Sequence, residues 1–159
     1  MPTVILILGL VSNALMAGLY FAFTAAVMPG LARTGDRIYV TSMQRIDEAI
    51  LNPWFLIMFT GAFVLPVVAA LAHLGEDGRP RLWWIVMAAV LYGLTIVITS
   101  VVNIPLNKGL AAAGEVSDRT AKDVRAAYHD RWTRFNDLRT VLSTAAVVAL
   151  AIALAQPVG

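Results

Sequence analysis

Four long apolar runs decide what this chain can become. A bilayer core about 30 Å thick takes roughly 20 apolar residues of helix to cross. Runs of that length lie at about Thr3–Met28, Pro53–Ala72, Leu82–Ile104 and Leu138–Ala155. They do not alternate polar and apolar residues as barrel strands do, and in lipid only helices and closed barrels satisfy every backbone group. The sequence therefore predicts an all-α fold: an integral membrane four-helix bundle in one four-span domain covering residues 1–159. Composition supports this. Charged residues make up 14% of the chain, against about 25% in soluble domains.

The first run reads as a retained span and not as a cleaved signal. Nothing charged precedes Met28, and the run far exceeds the roughly 7–15 apolar residues of a signal sequence. Pro29-Gly30 marks its expected end. Pro53 suits the first turn of the second helix, where a missing N–H costs nothing.

The connections differ in kind. Between Arg33 and Asn52, the apolar residues Ile38, Met43, Ile46 and Ile50 are spaced for a short amphipathic helix at the membrane surface. Gly75 to Arg81 reads as a tight turn rich in breakers. The connection from Lys108 to Arg139 opens with a small, flexible part, Gly109 to Gly114. Ser117 or Asp118 then caps a helix that runs on into the fourth span, giving that span a cytoplasmic extension.

Basic residues set the expected orientation. The first and third loops hold Arg33, Arg37, Arg45, Lys108, Arg119, Lys122, Arg125, Arg131, Arg134 and Arg139, whereas the second holds only Arg79 and Arg81. Loops 1 and 3 are expected in the cytoplasm, with both termini outside and the chain integral to the cell (inner) membrane. Trp54, Trp83 and Trp84 fall at span ends, as an aromatic belt does. Ala14 with Gly18, and Ala145 with Ala149 and Ala153, form small-residue faces that let helices approach closely. Such faces serve either the bundle itself or a homo-oligomer.

Several chemistries are excluded. Without cysteine there is no disulfide, thiolate metal site or iron–sulfur cluster. A formal charge of +2 is too small for a nucleic-acid binder. No ionisable residue lies deep inside a span, which argues against proton-coupled transport. His73 and His129 are expected at opposite membrane faces, so they cannot share a metal within one protomer. No cofactor or metal site is predicted. A haem or metal held by amides, carboxylates or ligands from two protomers stays compatible with the sequence.

Two polar clusters remain. Asn103-Ile104-Pro105-Leu106-Asn107 ends the third span, with the two amides one helical turn apart and a proline that loosens the turn between them. On a helix, Arg125, His129, Trp132, Asn136 and Arg139 fall within an arc of about 80°. Asp123, Asp130 and Asp137 lie on another face, where Arg134 is in reach of Asp130 and Asp137. Each cluster also has a purely structural explanation: amide caps at a helix end, or a basic helix resting on anionic headgroups. The second explanation does not account for Asn136 between Trp132 and Arg139. Because both clusters sit at one membrane level, they are expected to converge on a polar pocket.

Four spans, Asn103-x-Pro105-x-Asn107 ending the third, and Trp132-x-x-x-Asn136-x-x-Arg139 opening the fourth resemble the anthrone oxygenase-like integral membrane family. Most bacterial members of that family are uncharacterised. Fungal members oxidise anthrones to anthraquinones. The resemblance implies an oxidoreductase acting, without metal or flavin, on a flat apolar anthrone- or quinol-like molecule. That reaction needs a base and donors for the developing oxyanion, and His129 is the expected base, with Asn136 and Arg139 the expected hydrogen-bond donors. Asn103, Asn107 and Trp132 would bind the substrate. Two further classes fit the same residues: a membrane carrier that binds such a ligand without chemistry, and a structural assembly protein whose polar clusters join helices. The topology is tested by a reporter fused to the C-terminus. The expected signal is extracytoplasmic, and a cytoplasmic one contradicts the orientation.

Overall fold

The structure is a computed structural model and describes residues 2–74 and 79–156. Four helices are long and apolar enough to cross a membrane: α1 (Thr3–Ala32), α3 (Pro53–Ala72), α4 (Arg81–Ala112) and α5 (Asp118–Ala155). The short helix α2 (Asp36–Ile50) joins the first two. Around the bundle, α1 packs against α3 and α5, and α4 packs against the same two. This is an antiparallel up-and-down bundle, the arrangement short connections favour. The expected all-α four-helix membrane bundle is the observed one. The expected breaker-rich turn at Gly75–Arg81 lies mostly outside the described residues.

Local chemistry explains most helix boundaries. Asn52 caps α3 by accepting from the Phe55 N–H at 3.1 Å, with Pro53 in the first turn as expected. Ser117 caps α5. Its hydroxyl accepts from the Thr120 N–H at 3.4 Å, and the Thr120 hydroxyl accepts from the Ser117 N–H at 3.0 Å. This reciprocal box starts a 38-residue helix that runs unbroken into the bundle.

Two expected ends move. Pro29 does not stop α1, which continues to Ala32, and α4 continues past Pro105 to Ala112. In both, the turn before the proline widens to a π-helix, Phe23–Val27 and Thr99–Asn103. A helical proline offers no N–H and crowds the carbonyl four residues back. Widening the turn relieves that crowding, and hydrogen bonds of π spacing run from Met28 N–H to Phe23 O and from Ile104 N–H to Thr99 O. The stretch expected to be flexible after Lys108 is thus largely helical. It stops at Gly114, whose φ of +58° is the left-handed C-terminal conformation that glycine adopts without strain.

The membrane core is built from small side chains. Ala62, Ala69, Ala88, Ala146, Ala149 and Ala153 are buried among Leu6, Met16, Tyr20, Ile85, Tyr92 and Leu150. In lipid, helices associate through close packing and a few polar contacts. At Gly61, an added Cβ would meet the Ser12 hydroxyl at 3.3 Å, so the absence of a side chain there lets Ser12 of α1 pack closely on α3. Asn13 joins them, donating to Gly9 O at 3.0 Å and Ala62 O at 2.7 Å. Ala149 and Ala153 serve the bundle interior, whereas Ala14 is exposed and Gly18 faces open space. Trp54 and Trp83 project outwards at the span ends, and Trp84 packs partly on the core.

A second core lies beyond the membrane core, at the end that carries loops 1 and 3. There Tyr39, Val40 and Met43 of α2 pack against Tyr128 and Trp132 of α5 and Leu110 of α4. The apolar face of α2 is therefore turned onto the α5 extension, and Ile38, expected on that face, is 60% exposed. Arg125 fastens the start of α2. It donates to the Asp36 carboxylate at 2.8 Å, to Thr34 O at 3.1 Å and to Ala32 O at 2.8 Å. Gln44 fastens its middle, donating to Leu110 O at 2.9 Å and Gly114 O at 3.0 Å. At the far end of the bundle, Arg81 donates to Gln156 O at the last turn of α5.

Asn13→Ala should lower stability by about 1 kcal/mol, the usual worth of one polar contact between membrane helices. The measurement is the melting temperature in detergent; an unchanged value contradicts the role given to the Asn13 amide.

Candidate functional site

The α5 stripe divides in two. Its lower half, Arg125 and His129, turns to α2. His129 Nδ1 lies 3.0 Å from the Tyr39 hydroxyl, and the two rings meet edge to face. Burial pushes the Tyr39 hydroxyl well above its ordinary pKa, so it remains a protonated phenol. The upper half, Trp132, Asn136 and Arg139, is buried in the bundle.

Beside that upper half is a cavity of about 360 Å³, within the range of small-molecule sites. Its walls come from all five helices. Leu19, Phe23, Ile46, Phe55 and Phe59 make them mainly apolar, so the expected polar pocket is an apolar cavity with polar groups on part of its wall. The two π-turns frame it, because Phe23 opens one and Asn103 closes the other, and both line the cavity. Single π-turns recur at functional sites for this reason: they re-aim a side chain within an otherwise regular helix.

Five of the six expected site residues line this one cavity: Asn103, Asn107, Trp132, Asn136 and Arg139. His129 is not among the lining residues. Asn136 is fully buried and its amide is fixed. It donates to Tyr20 O and to the Thr24 hydroxyl, both at 3.0 Å, and accepts from Arg139 at 3.0 Å. Arg139 also donates to the Thr99 hydroxyl at 3.2 Å, while Thr99 donates to Thr95 O at 2.8 Å. The guanidinium carbon sits 4.5 Å from the centre of the Tyr20 ring and 5.5 Å from that of Trp132. Arg139 is 6% exposed, and among the described residues no carboxylate lies within ion-pairing distance. Among the described residues its direct partners are neutral dipoles and aromatic faces, and the nearest carboxylate in the network, Asp137, is reached only through Thr24 and Asn136.

Asn103 is 1% exposed, and neither atom of its amide has a hydrogen-bond partner among the described residues. Leaving such a group unpaired costs about 1–3 kcal/mol. Asn107, one turn on, has hydrogen-bond partners at both its amide oxygen and its amide nitrogen. Its oxygen accepts from Trp132 Nε1 at 2.9 Å and from the Tyr128 hydroxyl at 3.1 Å, and its nitrogen donates to Asp47. Trp132 stacks on Tyr128 and leans on Phe23. Both residues are therefore rigid parts of the wall.

Sequence reasoning missed Asp47, which lines the cavity from α2. Burial raises its carboxyl above the usual range; the Asn107 donor pulls it back, and Glu48 raises it further. The signal was available: Asp47 lies four residues after Met43 and three before Ile50, on the apolar face of an amphipathic helix. Tyr20 and Thr99, which hold Arg139, were also missed, because they look like ordinary membrane-helix residues.

A protein-family model described as anthrone oxygenase matches residues 54–149, a segment that contains all six expected site residues. Asp47, α1 and α2 precede it. No curated protein and no solved structure matches the chain. The matched segment covers more than half of the sequence, including three spans and the Asn103–Asn107 and Trp132–Arg139 motifs, and the chain belongs to the anthrone oxygenase family.

Proposed function

We propose that the protein is a membrane oxygenase acting on a flat, apolar, anthrone- or quinol-like molecule held in the cavity at the basic end of the bundle. The observation that carries this is Arg139: a buried guanidinium without a carboxylate partner among the described residues, facing a cavity with mainly apolar walls. Such a site favours a neutral molecule that becomes an oxyanion during reaction. The unpaired Asn103 amide supports the same assignment, because it offers a hydrogen bond to a substrate oxygen.

An anthrone has a methylene made acidic by the conjugated carbonyl. Removing one proton leaves the electron pair delocalised onto that oxygen, where Arg139 and Asn103 stabilise it. The electron-rich carbon then bonds to dioxygen, and a returning proton completes a hydroperoxide. Loss of the second C–H proton expels hydroxide as the O–O bond breaks, giving a second carbonyl and one water. Dioxygen is the oxidant, and no step requires a metal or flavin. Asn136 fixes Arg139, while Trp132 supplies a flat wall against which the rings lie. His129 orients α2 through Tyr39.

Access from the membrane fits the lining. Leu51, Leu56, Ser100 and Ile104 are exposed on the bundle surface and also line the cavity, so it opens sideways between the start of α3 and α4. Because ten of the twelve basic residues lie toward the end of the bundle that carries loops 1 and 3, we place this end in the cytoplasm. The 159 residues act as one four-span unit.

Purified protein should consume oxygen with anthrone as substrate. Arg139→Gln should lower kcat by about 10²–10³-fold, the usual effect of removing an oxyanion donor. Asn103→Ala should also lower it. Full activity in both variants contradicts the assignment, and binding without turnover in the unmodified protein indicates a carrier.

A further inference from the structure

We propose that Asp47 is the base that removes the substrate proton, and that a second, polar cavity connects it to water. This rests on the oxygenase function proposed above. That reaction needs a proton acceptor at the cavity wall, and His129 does not line the cavity. Among the described lining residues Asp47 is the one carboxylate.

Its position is what distinguishes it. A second cavity, of about 380 Å³, lies between α2 and the end of α4, lined by Arg37, Gln44, Glu48 and Glu115 among others. Asp47 and Asn107 line both cavities. The hydrogen-bonded pair is thus a partition, with apolar space on one side and polar space on the other. Asn107 is locked by Trp132 and Tyr128, so it holds the Asp47 carboxylate in one orientation.

The proton balance follows. Asp47 takes the first methylene proton and returns it to the peroxide oxygen after dioxygen has added. It then takes the second C–H proton as the O–O bond breaks, and the expelled hydroxide recovers that proton as water. The polar cavity lets Asp47 exchange with solvent. The titratable and charged groups around it are Arg37, Arg45 and Glu48 on its own helix, Lys108 on α4, Glu115 beyond its end, and Tyr128 and Arg139 on α5. Burial raises the Asp47 carboxyl, and the carboxylate is the active form. The rate should therefore fall as pH drops through a value above the usual carboxylate range.

The test separates proton removal from oxidation. Anthrone is incubated with the full-length protein in deuterated water without oxygen, and deuterium entering the methylene is measured alongside anthrone affinity. The unmodified protein should exchange. Asp47→Asn should bind anthrone with little change, exchange about 10²–10⁴-fold more slowly, and lose the acid limb of kcat/KM. Asp47→Glu should retain part of the rate with a displaced limb. Exchange by Asp47→Asn at the unmodified rate overturns the base assignment and leaves the oxygenase function standing. If Asp47→Asn does not fold, an unchanged rate and pH profile in Asp47→Glu overturns the assignment instead. Unmodified protein that neither exchanges nor consumes oxygen overturns the oxygenase function, and the role of Asp47 with it.

Discussion

The basic end of the bundle is organised around the buried charge of Arg139. A guanidinium taken out of water loses several kcal/mol of solvation, and in a membrane helix such a residue must find partners. Arg139 finds them in Asn136 on its own helix, Thr99 on α4, and the rings of Tyr20 on α1 and Trp132 on α5. Three helices thus meet at one side chain. None of these partners carries a full negative charge, so the site stabilises the cation without neutralising it. That leaves an electrostatic field for whatever enters the adjoining cavity.

Deformation of two helices supplies the geometry. The π-turns in α1 and α4 lie at the cavity and precede Pro29 and Pro105. Without them, regular helices would present different side chains there. The α2 helix completes the enclosure. Its apolar face packs on the α5 extension, and this brings Asp47 to the partition between the two cavities. The amphipathic segment is therefore part of the site and more than a link between spans.

Much of this was legible in the sequence. The limits of α3 at Pro53–Ala72 and the end of α5 at Ala155 follow from apolar length and capping residues alone. Helical spacing also placed Trp132, Asn136 and Arg139 on one face, and the structure gathers them at the cavity. Periodicity did less well where backbone geometry changes. Pro29 and Pro105 have the sequence signature of helix ends, but the chain absorbs them by widening one turn, a choice made by tertiary packing. The same limit applies to His129. It shares the face of Arg139, yet ten residues of rise separate them, about 15 Å along the axis, and α2 lies against only the lower part. The place of Asp47 is not legible from α2 alone, because the spacing of its apolar residues shows a buried face but not that this face closes over a cavity shared with α4 and α5.

The most direct test is an experimental structure with anthraquinone, the expected product, bound. The account predicts the tricycle in the cavity beside Trp132, one carbonyl oxygen within hydrogen-bond distance of the Asn103 amide and the Arg139 guanidinium. A ligand seated elsewhere, or a cavity filled by a lipid chain with Asn103 still unpaired, would contradict it.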